Sequence, residues 1–239
     1  MRKRNIALIL AASMMATFAF GGTTAFAAEE GETDSVTVGI MADPENMGPW
    51  SGMSMGRIAV LFTTYEYLIT REDGVAYGVL AKSWDEVDPK TYDVELYDYI
   101  HDAEGNPLTA SDVVFSFESA IATKNYGKLS VIDSVTATDD YHVEFKFNKD
   151  LEIGEFENVM LECAIVTQAA YEASPDQMAT TPVGTSAYLV DSYVPGSEIV
   201  MKDTGDYWQT DESLVHGTSI HNVGEIHFSV ITEASQHTV

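Results

Sequence analysis

Short runs in which apolar and polar residues alternate recur along this chain, and they constrain its fold more than any other feature. Alternation over four to eight residues predicts strands with one buried face. The runs are 36–40, 92–97, 141–147, 187–194, 199–202 and 225–231. Helical spacing appears at 57–69 and at 110–122, where Thr109 and Asp112 form a capping signal. The sequence therefore predicts a mixed α/β fold with many short strands.

The composition predicts a packed protein and excludes nucleic acid as a partner. With 45% hydrophobic and 10% aromatic residues, the 239-residue chain has enough apolar surface for a core. Its 12 Lys and Arg against 38 Asp and Glu give a net charge of -26, which repels a phosphate backbone. The same charge favours a soluble monomer. The single cysteine, Cys163, lies in an apolar stretch and is predicted to be a buried core residue.

The beginning of the chain is organised like a secretory signal peptide. Basic residues at 2–4 precede an apolar run over 6–20, and a small-residue cleavage site follows at 25–27. Because that run is shorter than the roughly 20 residues that span a bilayer, a retained anchor is the weaker interpretation. We therefore predict that residues 1–27 are cleaved, that 28–35 form a flexible lead-in, and that the protein is periplasmic or extracellular.

Five segments carry a family resemblance in their order along the chain. They are Tyr67-Leu68-Ile69, residues 78–84, residues 106–117, Pro182-Val183-Gly184-Thr185 and Asp206-Tyr207-Trp208. Together they resemble the extracellular solute-binding proteins of peptide-type ABC transporters, called family 5. That family includes oligopeptide-, dipeptide- and nickel-binding proteins, and the resemblance extends over residues 36–231.

Two residues in these segments have roles that follow from their residue type. Trp84 is predicted to be a packing anchor where the chain turns, since a tryptophan buries a large area. Gly184 is predicted to adopt a backbone geometry that other residues cannot. Both roles concern the scaffold, so they indicate the fold and not the ligand.

The resemblance implies the N-terminal lobe of a bilobal periplasmic-binding-protein-like fold, with a mixed sheet and an inserted smaller subdomain. Residues 36–56 plus 166–239 would form the subdomain next to the hinge, and residues 57–165 the inserted subdomain. Relatives continue into a second lobe, which we expect to be absent from this sequence because it stops at Val239. In such proteins the two lobes close around the ligand.

The resemblance also implies a non-catalytic protein that captures a small peptide or similar solute and delivers it to an ABC transporter permease in the cytoplasmic membrane. This lobe would contribute the loop after the first strand and residues 185–188 to the cleft. The candidate ligand-binding residues are Asp43, Asn46, Met47, Trp50, Met53, Thr185 and Tyr188. Met47, Trp50, Met53 and Met55 suit an adaptable apolar wall, with ordinary core packing as the alternative.

Two other functions remain open. A secreted nickel- or other metal-binding protein could use the segment His216–His237, because imidazole and carboxylate groups bind divalent metals. Against this, the predicted strand 225–231 turns His227 outward, away from its apolar neighbours, and no helical His-x-x-x-His spacing is present. An enzyme is the least favoured alternative, since the chain has neither a Gly-x-Ser-x-Gly elbow nor a His-Glu-x-x-His motif. We predict no catalytic residue, no resident metal and no cofactor.

Overall fold

The computed structural model describes residues 34–231. The predicted signal peptide, most of the lead-in and His237 lie outside the described residues. The strands are β1 (Val36–Ile40), β2 (Ile69–Glu72), β3 (Val75–Gly78), β4 (Ala81–Asp88), β5 (Thr91–Leu96), β6 (Ile132–Ala137), β7 (His142–Phe147), β8 (Tyr188–Val194), β9 (Glu198–Asp203) and β10 (Glu225–Val230). The helices are α1 (Ile58–Thr64), α2 (Ala110–Thr123), α3 (Glu155–Met160) and α4 (Gln168–Ala173). The mixed α/β fold is confirmed.

Strands from the two ends of the described chain form the first sheet, in the order β1-β10-β9-β8. β1 is parallel to β10, with Val36 opposite Ile226 and Ile40 opposite Val230, and the other pairs are antiparallel. The second sheet is antiparallel in the order β4-β5-β7-β6, and β2 pairs with β3 in a hairpin. The carboxyl ends of β1 and β10 therefore lie at the same edge of the first sheet.

Two clusters of buried apolar side chains form the core. The larger one packs α2 against the second sheet, where the rings of Phe117 and Phe145 lie 4.9 Å apart. The smaller one lies beneath the first sheet and includes Ile199 and Phe228. Each large apolar side chain buried in this way contributes about 1.5–3 kcal/mol of transfer free energy. Cys163 is fully buried in the larger cluster, as predicted.

Helix α2 begins where its capping signal predicts. The Thr109 backbone N–H donates to the Asp112 carboxylate at 2.8 Å, and the two residues form a capping box. The other oxygen of Asp112 accepts from the Gln168 backbone N–H at 2.8 Å, at the start of α4. One carboxylate thus caps α2 and fixes a second helix beside it. None of the helices between residues 34 and 231 is long and apolar enough to cross a membrane.

The predicted helix over 57–69 is too long. Helix α1 ends at Thr64, Tyr65 is extended, and Ile69 already begins β2. The Thr63 and Thr64 hydroxyls each donate to the carbonyl four residues earlier, at 2.8 Å and 2.9 Å. Such bonds and the branched side chains weaken a helix, so the two threonines end α1 after seven residues.

Two scaffold predictions were wrong in detail. Trp84 packs against the larger core cluster, as predicted, but it lies inside β4, opposite Val94, and not where the chain turns. Gly184 has no positive φ; instead, a Cβ at this position would lie 2.0 Å from the Thr64 carbonyl oxygen. Its requirement for glycine comes from this close backbone approach, which leaves no room for a side chain.

Candidate functional site

The strongest candidate site lies where β1 ends. There the chain enters residues 41–57, which we call the β1–α1 segment. The backbone N–H of Ile231 donates to the carbonyl of Ile40 at 2.8 Å, so the chain beyond β10 also leaves at this edge. In α/β sheets, ligands bind beyond the carboxyl ends of the parallel strands. The topology thus places the β1–α1 segment in the position expected of a ligand-binding loop.

The β1–α1 segment and the helix residue after it expose four large apolar side chains. Met41, Met53, Met55 and Ile58 are exposed to 60%, 47%, 68% and 41%. Large exposed apolar patches mark ligand or partner sites more often than ordinary surface. Methionine and isoleucine side chains could form a wall that adapts to ligands of different shapes.

Hydrogen bonds hold the segment in one shape despite its lack of regular structure. The Arg57 guanidinium donates to the carbonyls of Pro44 and Ser51, both at 2.8 Å. The Trp50 indole N–H donates to the carbonyl of Ala164 at 3.0 Å, which attaches the segment to the larger core cluster. A pre-formed loop loses less conformational entropy on binding than a mobile one.

Asp43 fastens the segment to the turn between β8 and β9. Its carboxylate accepts hydrogen bonds from the Tyr193 hydroxyl and from the Gly196 backbone N–H. Burial acts to raise the pKa of Asp43, but these bonds and one from the Glu45 backbone outweigh it and hold the pKa below its usual value. Burial and the same carboxylate raise the pKa of Tyr193 to about 12. Asp43 is therefore ionised near neutral pH and already occupied by protein donors.

The structure places the other predicted site residues in two groups. Asn46 and Met53 are exposed, and the Asn46 side-chain oxygen accepts from the Gly48 N–H at 2.8 Å. The buried group comprises Met47, Trp50, Thr185 and Tyr188. Met47, Trp50 and Tyr188 pack in the two core clusters and the Thr185 hydroxyl donates to Glu66, so only the exposed group and Asp43 offer surface to a solute. Of the proposed apolar wall, Met53 and Met55 are exposed.

Glu66 is the residue that the sequence analysis missed. It is buried, and its carboxylate accepts from Thr185 at 2.8 Å, Tyr207 at 2.6 Å, Trp208 at 2.8 Å and Ser219 at 2.6 Å. Burial raises the pKa of Glu66, although the four hydrogen bonds act to lower it. A lone acid in the apolar stretch 65–69 was the sequence signal that could have indicated it.

The histidines of the proposed metal segment lie in separate environments. His216 stacks on Tyr77 with ring centres 4.0 Å apart, and His221 meets the ring of Tyr207 at 4.6 Å. His227 instead approaches Glu198 at 3.0 Å on the first sheet. Within residues 34–231, no three His, Cys, Asp or Glu side chains are placed to hold a metal ion. The structure does not bring the described part of this segment together as one site.

The chain matches known proteins over most of its described length. Residues 76–238 match the model of the bacterial extracellular solute-binding proteins, family 5 middle. The nickel-binding protein NikA of Staphylococcus aureus is 30% identical over 151 residues, which are 62% of this chain and 30% of that protein. The di/tripeptide-binding protein 3 of Pseudomonas aeruginosa is 24% identical over 210 residues, which are 74% of this chain and 37% of that protein.

A solved structure agrees with the fold. The oligopeptide-binding protein AppA of Bacillus subtilis, in complex with a nonapeptide, superposes with a TM-score of 0.74 at 21% identity. The superposition covers 87% of this chain and 42% of AppA. The chain thus spans well under half the length of the relatives that it matches.

Proposed function

Because this chain belongs to the bacterial extracellular solute-binding proteins of family 5, we propose that it captures a short peptide or a related small solute for an ABC importer. The solute would be bound outside the cytoplasmic membrane and delivered to the transporter permease. The observation that carries the proposal is the exposed apolar surface of the β1–α1 segment at the carboxyl end of the parallel strands β1 and β10.

We assign the binding surface to Asp43, Asn46 and Met53 together with Met41 and Met55. The buried residues Met47, Trp50, Thr185 and Tyr188 would hold it in place. Apolar side chains tolerate varied partners, and the free backbone groups of a loop bind peptide main chain. The protein would act as a monomer without a cofactor and without catalysis, since capture requires only binding and release.

We also propose a division of the chain into two parts, which most members of the two core clusters support. The hinge-proximal subdomain, 36–56 plus 166–239, would be organised by the first sheet and the smaller cluster. The inserted subdomain, 57–165, would be organised by the second sheet and the larger cluster. The larger cluster also takes in Trp50, Ala170, Met178 and Trp208, and the smaller one takes in Val60, so each part contributes side chains to the core of the other. Export by a cleaved signal peptide at residues 1–27 belongs to the same proposal.

Calorimetric titration with matched peptides tests the binding surface. A charge placed on the apolar wall, in Met53→Glu or Met55→Glu, should weaken binding of an apolar dipeptide by about tenfold or more, since about 1.4 kcal/mol of lost burial corresponds to tenfold. Val87→Glu is the matched control, because Val87 is 65% exposed, close to the 68% of Met55, but lies on β4. Equal losses in the control and the wall variants would contradict the assignment.

Nickel is the second candidate cargo, favoured by the 30% identity to the nickel-binding protein of Staphylococcus aureus. The same calorimetric titration distinguishes the two candidate cargoes. The peptide is replaced by Ni(II) alone and then by Ni(II) with a histidine chelator. If nickel species give heat of binding and peptides give none, the proposed cargo is a metal species and not a peptide. Loss of that heat in Met53→Glu would place the metal species at the same surface.

A further inference from the structure

A small cavity lies between the β1–α1 segment and the end of α4. We call it the side cavity; its volume is about 120 Å³, and the residues that line it include Asn46, Ser51, Tyr171, Asp176 and Gln177. Pockets that enclose a whole small ligand have volumes of about 300–1,000 Å³. The side cavity is therefore large enough for one end group of a solute and too small for the rest.

Tyr171 contributes an aromatic ring to the side cavity. The residue lies on α4, and its side chain is partly exposed. Its ring centre lies 5.0 Å from that of Trp50 and 5.5 Å from that of Phe115. The Trp50 indole is itself attached to the carbonyl of Ala164 by its hydrogen bond. The side cavity thus has an aromatic wall whose orientation is set by packing.

Asp176 contributes a negative charge. Its Oδ1 accepts from the Ser174 hydroxyl at 3.0 Å, and its Oδ2 accepts from the backbone N–H and the hydroxyl of Thr180. The bond from the Thr180 hydroxyl is the main cause that holds the pKa of Asp176 below its usual value, against the effect of burial. A carboxylate has about four acceptor sites, so these bonds leave Oδ1 able to accept from a ligand as well.

The turn that carries Asp176 is joined to the β1–α1 segment. The Met47 backbone N–H donates to the Ala179 carbonyl at 2.8 Å. A Cβ on Gly48 would lie 2.9 Å from the Gln177 carbonyl oxygen, so the two stretches of backbone are in contact there. The two sides of the side cavity are therefore held at a fixed separation, which favours binding because little conformational freedom is lost.

The residues around the side cavity suit a positively charged organic group. Among the described residues that line it, Asp176 is the only one that carries a charge. An ammonium or guanidinium group is attracted to the face of an aromatic ring and forms strong hydrogen bonds with a carboxylate. The net charge of -26 attracts cations over longer distances as well. An anionic group would be repelled by the same carboxylate.

We propose that the side cavity is a subsite for an organic ammonium or guanidinium group, carried by a lysine or arginine side chain of the captured peptide. Asn46 connects the two sites, because it lines the cavity and also belongs to the surface assigned to solute capture. The preference for a cation is a property of the cavity itself, whereas the peptide as its source rests on the proposed function. The captured solutes are then basic peptides.

The cavity is tested first without a peptide. The ligands are n-butylammonium, which reproduces the end of a lysine side chain, and 1-butanol, which has the same length and no charge. Each is titrated into the ¹⁵N-labelled protein, and the amide groups of Gln177 and the indole N–H of Trp50 report binding. The ammonium should bind at least about fivefold more tightly than the alcohol. Equal affinities, or resonance shifts confined to other residues, would overturn the proposal.

Variants of Tyr171 test the aromatic wall. Tyr171→Leu should weaken the binding of n-butylammonium by about threefold, because it removes the aromatic face. Tyr171→Phe keeps the ring and should bind as wild type does. Both variants retain Asp176 and its turn. If Tyr171→Leu binds as tightly as Tyr171→Phe, the ring takes no part and the proposal is wrong.

Asp176→Asn tests the charge, and it should weaken the binding of n-butylammonium by about threefold to fivefold. Asp211→Asn is the matched control. Its carboxylate also accepts from a nearby serine hydroxyl, that of Ser213, and its loss changes the net charge equally, but Asp211 does not line the side cavity. Equal losses in the two variants would assign the attraction to the overall charge and would overturn the subsite.

The source of the cation is tested by calorimetric titration with two tripeptides. One has lysine between two alanines, and the other has norleucine, which resembles lysine but lacks the amine. The lysine peptide should bind about fivefold more tightly, and Asp176→Asn should remove that preference. Equal affinities, with n-butylammonium still bound, would overturn the assignment to a peptide side chain. If neither peptide binds while n-butylammonium does, the proposed capture function fails and the cation preference of the cavity stands.

Discussion

Trp208 donates its indole N–H to the carboxylate of Glu66 at 2.8 Å. The bond joins the connection between α1 and β2 to the long stretch that precedes β10. Three hydroxyl groups, from Thr185, Tyr207 and Ser219, complete the set of donors around the same carboxylate. A buried charge is tolerated only when hydrogen bonds replace its water, and here four donors do so.

Replacing Glu66 tests this arrangement. Glu66→Ala should lower the free energy of unfolding by roughly 3 kcal/mol or more, because several buried donors lose their acceptor. Glu66→Gln should cost about 1 kcal/mol, since the amide oxygen can accept from Trp208 and Thr185 while the amide N–H groups donate to the hydroxyls of Tyr207 and Ser219. Urea unfolding followed by tryptophan fluorescence measures both; equal losses would mean that the charge itself is required.

The pH dependence of stability should reveal the same group. Because burial raises the pKa of Glu66 in the folded state, the protonated form is favoured by folding. The stabilisation that this proton gives is fully present below the pKa of the unfolded chain, near 4.5. It is lost as the pH rises through the pKa of Glu66 in the folded state. The free energy of unfolding of wild type should therefore fall, relative to that of Glu66→Gln, as the pH increases. A difference that is flat or moves the other way would exclude a raised pKa.

Gly184→Ala should destabilise the protein by about 1–3 kcal/mol, the usual cost of forcing atoms into a packed site. The added Cβ would meet the Thr64 carbonyl oxygen at 2.0 Å, and that oxygen belongs to backbone that cannot move aside cheaply. Gly127→Ala is the matched control, because no atom lies within 4 Å of its Cβ position and its φ is not positive. Thermal unfolding of both variants would show no difference if the close approach were unimportant.

Asp43→Asn should loosen the turn between β8 and β9. Hydrogen bonds to the carboxylate, acting against burial, lower the pKa of Asp43 in the folded state. The stabilisation by the ionised carboxylate is therefore present above the ordinary pKa of 3.8 and is lost as the pH falls through the folded pKa. The Gly196 amide resonance should therefore move below about pH 4 in wild type and stay constant in the variant. Tyr193→Phe serves as a control, since it removes one donor and keeps the titrating group. Titration of the Gly196 resonance at higher pH in wild type would contradict the assignment.

The thiol of Cys163 should be inert in the folded protein. Burial raises its pKa well above the usual value, an effect that the neighbouring Trp50 indole only partly opposes, and no surface is exposed to a reagent. An aromatic disulfide reagent should react with it only at the rate of unfolding. Ser51→Cys, at a partly exposed position, provides a reactive comparison. Rapid labelling of Cys163 under native conditions would show that the larger core cluster opens locally.

The elements that the sequence predicted correctly are those with a clear local pattern, such as a capping pair or an alternating run. The capping pair of Thr109 and Asp112 located α2 to within a residue or two, and the alternating run 225–231 located β10. Strands β2, β3, β4 and β6 were missed because their apolar and polar residues do not alternate cleanly. In β4, six of eight residues are exposed, so its hydrophobic pattern is weak.

The candidate site was only partly predictable for a different reason. The residue types Met and Trp suggested an apolar wall, but only the fold decides that Met47 and Trp50 turn inward while Met53 turns outward. Glu66 acquires its role from donors more than 100 positions away along the chain. Contacts of that separation have no signature in a single sequence, because any of its 38 acidic residues could have held the position.

The pairing of β1 with β10 also determines the order in which the molecule can fold. Val36 cannot meet Ile226 until nearly the whole described chain has been made, and closing so long a loop costs entropy before any bond repays it. The second sheet closes over much shorter separations, as Val94 opposite Val143 shows. Contacts distant along the chain form slowly. We therefore expect the edge that presents the methionines to form last among the described residues, so a chain halted partway should have the second sheet but not the surface proposed for solute capture.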